Sequence, residues 1–451
     1  MLLDWIKNKG KAWCNRMNEK KSYQRGMLTG VAGGILGCLI VVAILVVAGV
    51  NIFAANNGHI IFGAEEESSM EETELETTIE EEETGVLTEE FLEKVERIYS
   101  DMQSYFLYDI DEKALRDGML DGMLKALDDP YSCYYNEEEL VSMMETTQGE
   151  YVGIGVSVSQ NVNTGLITIL KPYKGAPGAE AGLLPGDVLY KINDQEITTM
   201  ELDSVVGLIR GEEGSTVKIT VYREGEADYL DFEVERRMVE IPTVEYEMLD
   251  NQIGYIIVSA FEGNTDEQFE AAMKDLTEQG MKGLIIDLRD NGGGLLDTVV
   301  NMLDYVLPEG LIFYVKDKYE NVGGEMYSTS DCYLEVPLVV LVNENSASAS
   351  EVFAGNIQDF KAGKLVGTTT FGKGIMQSMY YEDPRYSTAI KLTVADYYIH
   401  SGRNIHKIGI TPDVEVELEE ELKKLLTIPH EQDTQLQAGI ATLMEAMSLE
   451  Q

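Results

Sequence analysis

Hydrophobic positions change their spacing several times along the chain, and each change predicts a different kind of element. Residues 27–50 form an apolar run that contains no charged side chain. A helix over this run would be about 36 Å long, and the hydrocarbon core of a bilayer is roughly 30 Å thick. The run therefore predicts a transmembrane helix. A buried core helix is the alternative, but the run has no polar stripe to face the rest of a protein surface.

The charges on the two sides of this run predict its orientation. Residues 1–26 carry seven Lys or Arg and two acids, whereas residues 65–83 carry eleven Glu and no basic residue. Because basic flanks stay on the cytoplasmic side, we expect residues 1–26 in the cytoplasm and the chain after about residue 50 outside it. A cleaved signal peptide is the alternative, but the apolar run is long for one. Residues 51–86 are acidic and predict an extended extracytoplasmic linker.

After the linker, the pattern predicts three folded regions and a tail. Apolar residues recur at helical spacing in residues 87–148, which predicts an N-terminal helical region. Residues 149–236 show short alternating runs separated by turns, which predicts a small β-rich domain. Residues 237–416 contain near-continuous apolar strands followed by loops and helices, which is typical of an α/β core with a mostly buried sheet. Residues 417–451 read as an acidic tail with a terminal helix, either packed on a partner subunit or solvated.

Composition excludes several classes of protein. Of the 451 residues, 44% are hydrophobic, which excludes a wholly disordered chain. The net charge of -46 excludes a free-standing nucleic-acid binder. The four cysteines form no CxxC pair and no Cys/His cluster, so we expect no zinc site.

Three serines mark the first candidate for chemistry. Ser346, Ser348 and Ser350 lie between an apolar strand and a helix. A serine at a helix N-terminus meets oriented N–H groups and a partial positive charge, which favour a developing oxyanion. Ordinary helix capping is the alternative, and this segment alone favours capping.

A nucleophilic serine needs a base, and the chain has only four histidines. His59 lies beside the predicted membrane helix and His430 lies in the polar tail. His400 and His406 remain as candidates, but neither lies in a segment with an obvious orienting carboxylate.

A lysine offers a second candidate for the base. Lys373 lies between two glycines in an apolar stretch without acids, and burial there would lower the pKa of its amine toward neutrality. Gln377 lies close enough in sequence to hydrogen-bond and orient the amine. A lysine on a surface hairpin is the alternative.

One group of motifs resembles a PDZ domain of the bacterial protease type. These motifs are residues 178–183 (GAEAGL), 185–189 (PGDVL) and 192–193 (IN), together with residues 151–156 (YVGIGV), which resemble the carboxylate-binding loop and edge strand. By this resemblance, the loop formed by Gly153, Ile154, Gly155 and Val156 would bind the terminal carboxylate of a peptide. The edge strand would then pair with the peptide backbone by β-augmentation.

A second group of motifs, in order along the chain, extends the resemblance. They are residues 287–294 (DLRDNGGG), 345–351 (NSASASE), 371–374 (FGKG) with Gln377, 391–395 (KLTVA), 401–403 (SGR) and 409–413 (GITPD). With the PDZ motifs, they resemble the C-terminal processing peptidase (tail-specific protease) family from about residue 88 to residue 416. The resemblance implies a Clp protease/crotonase-like α/β core with a PDZ domain, here preceded by one transmembrane helix, and it implies no metal or cofactor.

The same resemblance implies a role for each candidate. Ser348 would be the nucleophile, Lys373 the general base, and Gln377 the residue that orients Lys373. The backbone N–H groups of Gly293 and Ala349 would form the oxyanion hole. The family usually has proline at the position of Gly292.

The expected function is that of a membrane-anchored extracytoplasmic serine endopeptidase that uses a Ser–Lys dyad and selects proteins by exposed, apolar C-terminal tails. The expected partners are such substrates, the membrane through residues 27–50, and a second copy of the chain in a homo-oligomer; nucleic acid is not expected.

Two alternative functions belong to classes other than an active protease. A tethered PDZ module with an inactive protease domain would lack Ser, Lys or Gln, and all three are present. The serine–lysine pair and the PDZ motifs argue against a crotonase-type acyl enzyme.

Overall fold

The computed structural model describes residues 85–162, 164–329, 334–381, 387–425 and 428–449. The predicted cytoplasmic segment, the predicted transmembrane helix and the predicted linker up to residue 84 lie outside these residues. Across the described ranges, no helix combines the length and the apolar character needed to cross a membrane. The described residues divide into two compact units, one that ends at residue 98 and one that begins at residue 99.

The N-terminal helical region begins at a capped helix. The N–H of Phe91 donates to Thr88 Oγ1 over 3.2 Å, which satisfies one of the free donors of the first turn. The helices are α1 Glu89–Tyr105, α2 Glu112–Lys125 and α3 Glu137–Gln148, with a short strand, β1 Cys133–Tyr135, between the last two. The Asp111 carboxylate caps α2 by accepting from the N–H groups of Lys113 and Ala114.

The predicted β-rich domain is built around a six-stranded antiparallel sheet. Its strands are β3 Val156–Gln160, β4 Ile167–Pro172, β5 Val188–Ile192, β6 Gln195–Glu196, β7 Thr216–Tyr222 and β8 Leu230–Glu235, and its helices are α4 Pro177–Ala181 and α5 Leu202–Ile209. The order β3-β4-β5-β7-β8, with β6 beside β5, places β3 at an edge. A ribbon of β2 (Glu150–Gly153) and β9 (Arg237–Glu240) joins the two ends of the domain. The domain has its own hydrophobic cluster, which includes Ile169 and Val217.

A six-stranded, mostly parallel sheet forms the centre of the α/β core. Its strands in spatial order are β10 Val244–Leu249, β11 Ile253–Val258, β12 Gly283–Asp287, β15 Leu338–Val342, β16 Lys364–Gly367 and β19 Val414–Glu415. Every residue of β12 and β15 is buried, as expected for parallel strands covered on both faces. Three helices, α6 Thr265–Glu278, α7 Leu296–Val306 and α8 Ala349–Asp359, pack into the main cluster on one face. The two strand–loop–helix units predicted from the sequence are therefore confirmed.

The C-terminal helix, α9 (Thr434–Leu449), covers the other face of this sheet. Its Leu436 and Leu443 are fully buried in a cluster with Ile285, Val339 and Leu341. The sequence left open a partner subunit or a solvated helix. The structure differs from both, because the helix packs against the sheet of its own chain.

A second sheet joins the N-terminal region to the core. It contains β13 Gly310–Asp317, β14 Val322–Ser328, β17 Ile375–Tyr381 and β18 Ala389–Ile399, together with β1. Cys133 in β1 pairs with Lys391 in β18, and Gln377 in β17 pairs with Thr393 in β18. This pairing brings the turn before β1 close to the loop that carries Lys373. Two short 3₁₀ helices, Asp250–Gln252 and Leu422–Lys424, complete the described elements.

Candidate active site

Ser348 lies at the turn from β15 into α8, in a backbone conformation that non-glycine residues rarely adopt. Its φ is 56° and its ψ is -114°, and backbone strain of this kind clusters at functional sites. The neighbouring serines have structural partners. The Ser346 hydroxyl donates to the carbonyl of Leu288 (2.8 Å), and that of Ser350 donates to the carbonyl of Asn291 (2.8 Å). Ser348 is the partly exposed member of the triplet, so the structure distinguishes it from the other two.

A single buried carboxylate joins the Ser348 turn to the Lys373 loop. Glu351 Oε2 accepts hydrogen bonds from the N–H groups of Ser348 (2.9 Å) and Lys373 (2.8 Å). Its Oε1 accepts from the N–H of Gly372 (2.7 Å) and from the hydroxyl of Thr370 (2.6 Å). Glu351 is fully buried, and its four donors fix the two backbone segments at a set separation.

A buried tyrosine reinforces this link. The Tyr397 hydroxyl lies 3.2 Å from the carbonyl oxygen of Ser348 and 2.5 Å from that of Lys373. Burial raises the pKa of Tyr397 well above its ordinary value, with a further contribution from the charge of Glu351. The hydroxyl therefore stays protonated and keeps its ability to donate.

Lys373 has the environment that a lysine base requires. Burial lowers the pKa of its amine below the ordinary value, and the charge of Lys391 adds to this effect, while Asp129 and Glu351 oppose it. The side chain is half-buried rather than on a surface hairpin. Among the described residues, no hydrogen bond joins its Nζ to Ser348 Oγ or to Gln377. The structure thus brings the two segments together without closing the dyad.

Gln377 and Gly293 both have partners other than those implied by the resemblance. The Gln377 amide nitrogen lies 3.5 Å from the carbonyl of Ile375 and 3.4 Å from Thr393 Oγ1. The Gly293 N–H donates to Asn291 Oδ1 over 2.8 Å. The orienting role of Gln377 and the oxyanion role of Gly293 therefore stay predictions, and each requires a change of hydrogen-bond partner.

The loop that carries Gly293 nevertheless lies against the serine. A Cβ placed on Gly293 would lie 2.8 Å from Ser348 Cβ and 3.0 Å from the nitrogen of Ala349, so glycine is required for this close approach. Gly292 has open space around it and an ordinary φ. The loop conformation therefore does not require glycine at position 292, where the family usually has proline.

An ionic network supports the start of this loop. The Arg289 guanidinium binds Asp287 (2.6 Å) and Asp433 (2.8 Å), and the Tyr255 hydroxyl donates to Asp287 (2.7 Å). Burial acts to lower the pKa of Arg289, but the two carboxylates outweigh it and raise the pKa above its ordinary value. Asp433 directly precedes α9, so the C-terminal segment contributes to this support.

Of the described histidines, His400 and His430 have partners away from the Ser348 turn. His400 Nδ1 lies 2.8 Å from the carbonyl of Leu311, and its ring packs on Phe360. His430 lies beside Glu247 on the far side of the sheet. The backbone of His406 lies against Gly374, but among the described residues no hydrogen bond links its ring to Ser348. His59 lies outside the described residues.

The predicted peptide-binding loop lies next to the edge strand of the β-rich domain. Gly155 has φ 69° and contacts Ala176, so it needs to be glycine, and Val156 begins β3. Ile154 is buried, and its carbonyl accepts from the N–H of Gly178 over 2.7 Å. The Tyr151 ring covers Gly153, where an added Cβ would lie 2.5 Å from Cε2. The peptide-binding assignment of this loop stays a prediction.

Comparison with known proteins places this geometry in a family. The chain matches the model of Peptidase family S41 over residues 252–416, that of the activating protease CtpB N-terminal domain over residues 45–139, and that of the PDZ domain over residues 168–223. It is 36% identical over 328 residues to the carboxy-terminal processing protease CtpA of Bacillus subtilis (strain 168), an alignment that covers 72% of this chain and 69% of the relative. The chain belongs to the C-terminal processing peptidase family. It is a serine-type peptidase.

One further relative and one solved structure are also similar to this chain. The carboxy-terminal-processing protease of Bartonella bacilliformis is 34% identical over 325 residues, covering 71% of this chain and 74% of the relative. The solved photosystem II D1 C-terminal processing protease is 29% identical, with a TM-score of 0.43, covering 72% of this chain and 86% of that chain.

Three residues of the peptidase site were not assigned a role from the sequence. Glu351 is an acid followed directly by the apolar residues 352–354 (VFA), which is a usable signal for a buried, hydrogen-bonded carboxylate. Tyr397 and Asp433 lie far along the chain from their partners, and no local pattern identifies them.

Proposed function

We propose that this peptidase is a membrane-anchored extracytoplasmic endopeptidase that cleaves with a Ser348–Lys373 dyad and selects proteins through their C-terminal tails. The observation that carries the proposal is the bridge made by Glu351, whose carboxylate binds the N–H groups of both Ser348 and Lys373. A shared rigid anchor is what a nucleophile and its base require for a fixed approach.

The chemistry follows from these placements. Ser348 Oγ attacks the scissile carbonyl carbon while the Lys373 amine accepts the hydroxyl proton. The lysine then donates this proton to the leaving amine as the C–N bond breaks, which leaves an acyl-enzyme that water hydrolyses. The Ala349 N–H and, after leaving Asn291, the Gly293 N–H would bind the oxyanion. The lowered pKa of Lys373 supports its role, since the base has to be unprotonated before attack.

Tail selection is supported by the edge position of β3. An unpaired strand edge beside a glycine-containing loop accepts a peptide as an additional strand. Membrane anchoring is supported by the apolar run at residues 27–50 and by the basic residues that precede it.

One experiment tests membrane anchoring, tail selection and the Ser348–Lys373 dyad together. The full chain is extracted with detergent from the membrane fraction of expressing cells and incubated with an unstructured protein that ends in apolar or in charged residues. We expect cleavage of the apolar-tailed protein, and a loss of about 10³-fold in kcat/KM for Ser348→Ala and for Lys373→Ala. Ser401→Ala and Lys318→Ala, both exposed and outside the site, serve as matched controls.

Each part of the proposal has its own contradicting result. Recovery of the full chain in the soluble fraction would contradict anchoring. Equal cleavage of both tails would contradict tail selection. Activity retained in either dyad variant would contradict the dyad, and tail-dependent binding without cleavage would favour a tethered binding module.

A further inference from the structure

The ammonium group of Lys373 faces an aromatic ring from the N-terminal region. Its Nζ lies 4.3 Å from the centroid of the Tyr131 ring, which is within cation–π range. Within the described ranges, no ion pair or hydrogen bond holds this Nζ. The Tyr131 ring therefore directly contacts the proposed base.

The turn that carries Tyr131 is held rigidly. Asp129 accepts hydrogen bonds from the N–H of Tyr131 (3.2 Å) and from the hydroxyl of Ser132 (2.5 Å). Ser132 Oγ in turn accepts from the N–H of Thr393 in β18 (3.1 Å). The next residue begins β1, which pairs with β18. Tyr131 is thus fixed to the strand that lies beside Gln377, not to a free loop.

Several charged groups surround the amine, and they act in different directions. Lys391 in β18 lowers the pKa of Lys373, whereas Asp129 in the turn and Glu351 in α8 raise it. The π face of the ring also favours the charged ammonium. Burial is nevertheless the largest influence, and the net result is a lowered pKa. A ring in contact with Nζ supplies part of that burial because it keeps water from one side of the amine.

We propose that Tyr131 is a positioning residue for the general base, whose ring packs against the Lys373 amine and shields it from water. The proposal rests on the proposed function, because it takes Lys373 as the base. The phenolic oxygen of Tyr131 has no part in this role, which depends on the flat ring alone.

The test compares Tyr131→Phe and Tyr131→Ala in the detergent-extracted full chain, with kcat/KM measured as a function of pH. The base acts unprotonated, so activity rises with pH through the pKa of Lys373. Removing the ring takes away the π face, which by itself lowers that pKa, and admits water, which raises it. Because burial is the largest influence on this pKa, we expect the rise for Tyr131→Ala to move up by about one pH unit. Its activity at pH 7 then falls about tenfold and is largely recovered at high pH. Tyr131→Phe retains the ring and should match the unmodified protein.

The controls separate this inference from a general loss of structure. Tyr319 pairs with Lys318 in the same way on an exposed turn, and Tyr319→Ala should leave the profile unchanged. If Tyr131→Ala does not fold, Tyr131→Leu replaces it. Leucine fills volume but has no flat face to cover the amine, so the same upward move of the pH profile is expected. A pH profile that does not move, or a loss equal at every pH, overturns the role of Tyr131. Full activity in Lys373→Ala would instead overturn the proposed dyad, so the two failures are distinguishable.

Discussion

At the scale of single residues, Glu351 has the largest influence on the geometry of the site. Its four donors are the N–H groups of Ser348, Gly372 and Lys373 and the hydroxyl of Thr370. No water reaches this carboxylate, so each donor depends on it for a partner. The side chain thus acts on two loops at once without touching the substrate.

Glu351→Gln tests this dependence. An amide nitrogen at either position would face at least one backbone N–H group, and each unsatisfied buried donor costs about 1–3 kcal/mol. We expect a decrease of about 3 kcal/mol in the free energy of unfolding, measured with a denaturant, and a large decrease in kcat with little change in KM. Glu325→Gln on an exposed strand is the matched control and should change neither quantity. Wild-type kcat in the Glu351 variant would contradict the bridging role.

At the scale of elements, the C-terminal helix α9 is both a cover for the sheet and a support for the active-site loop. Leu436 and Leu443 bury one face of the sheet, while Asp433 binds Arg289 just before the loop that carries Gly293. The helix therefore couples a packing contact to an ionic contact at the site.

Asp433→Asn separates these two contributions. Removing one partner of a buried ion pair costs about 3–5 kcal/mol, and we expect the lower end because Arg289 keeps Asp287. Thermal and denaturant unfolding measure this decrease. Glu420→Gln, which removes a surface partner of Lys423, should leave stability unchanged. Equal stability of the two variants would show that the ionic contact is dispensable.

The elements also show which parts of the fold and of the site could be predicted from the sequence. The β12 and β15 units could be predicted because continuous apolar runs that end in polar loops are local signals, and they position Ser348 and Gly293. The contact of Lys373 with Tyr131 and that of Arg289 with Asp433 could not be predicted, because each joins segments that are far apart in the chain. The partners of Gln377 and of the Gly293 N–H depend on side-chain rotamer and peptide orientation, which no residue pattern encodes. Residues 27–50 lie outside the described residues, so the membrane helix stays a prediction.

At the scale of the whole molecule, the chain from residue 99 onward contains separate hydrophobic cores. The cluster of the PDZ domain, which includes Ile169 and Val217, shares no residue with the main cluster of the peptidase core. The β2–β9 ribbon joins the two, and the ion pair of Lys171 with Glu245 lies across their boundary. We therefore expect the two domains to unfold as separate cooperative units.

A fragment of residues 149–241 should therefore fold alone. Its apolar cluster and its sheet are complete, and the β2–β9 ribbon brings its ends together. Calorimetry should show one cooperative transition for the fragment and at least two for the full chain, one of them near the midpoint of the fragment. A disordered fragment, or a single transition for the full chain, would contradict separate cores.

The contact between Arg289 and Asp433 also has a consequence for biosynthesis. The two residues are 144 positions apart, and the ribosome adds about 5–20 residues per second. The arginine beside the oxyanion loop is therefore made on the order of ten seconds before its second carboxylate. Until α9 has emerged, a nascent chain has Ser348 and Lys373 but an incompletely supported Gly293 loop. The order of synthesis thus delays the full ionic support of this loop until Asp433 and α9 have been made.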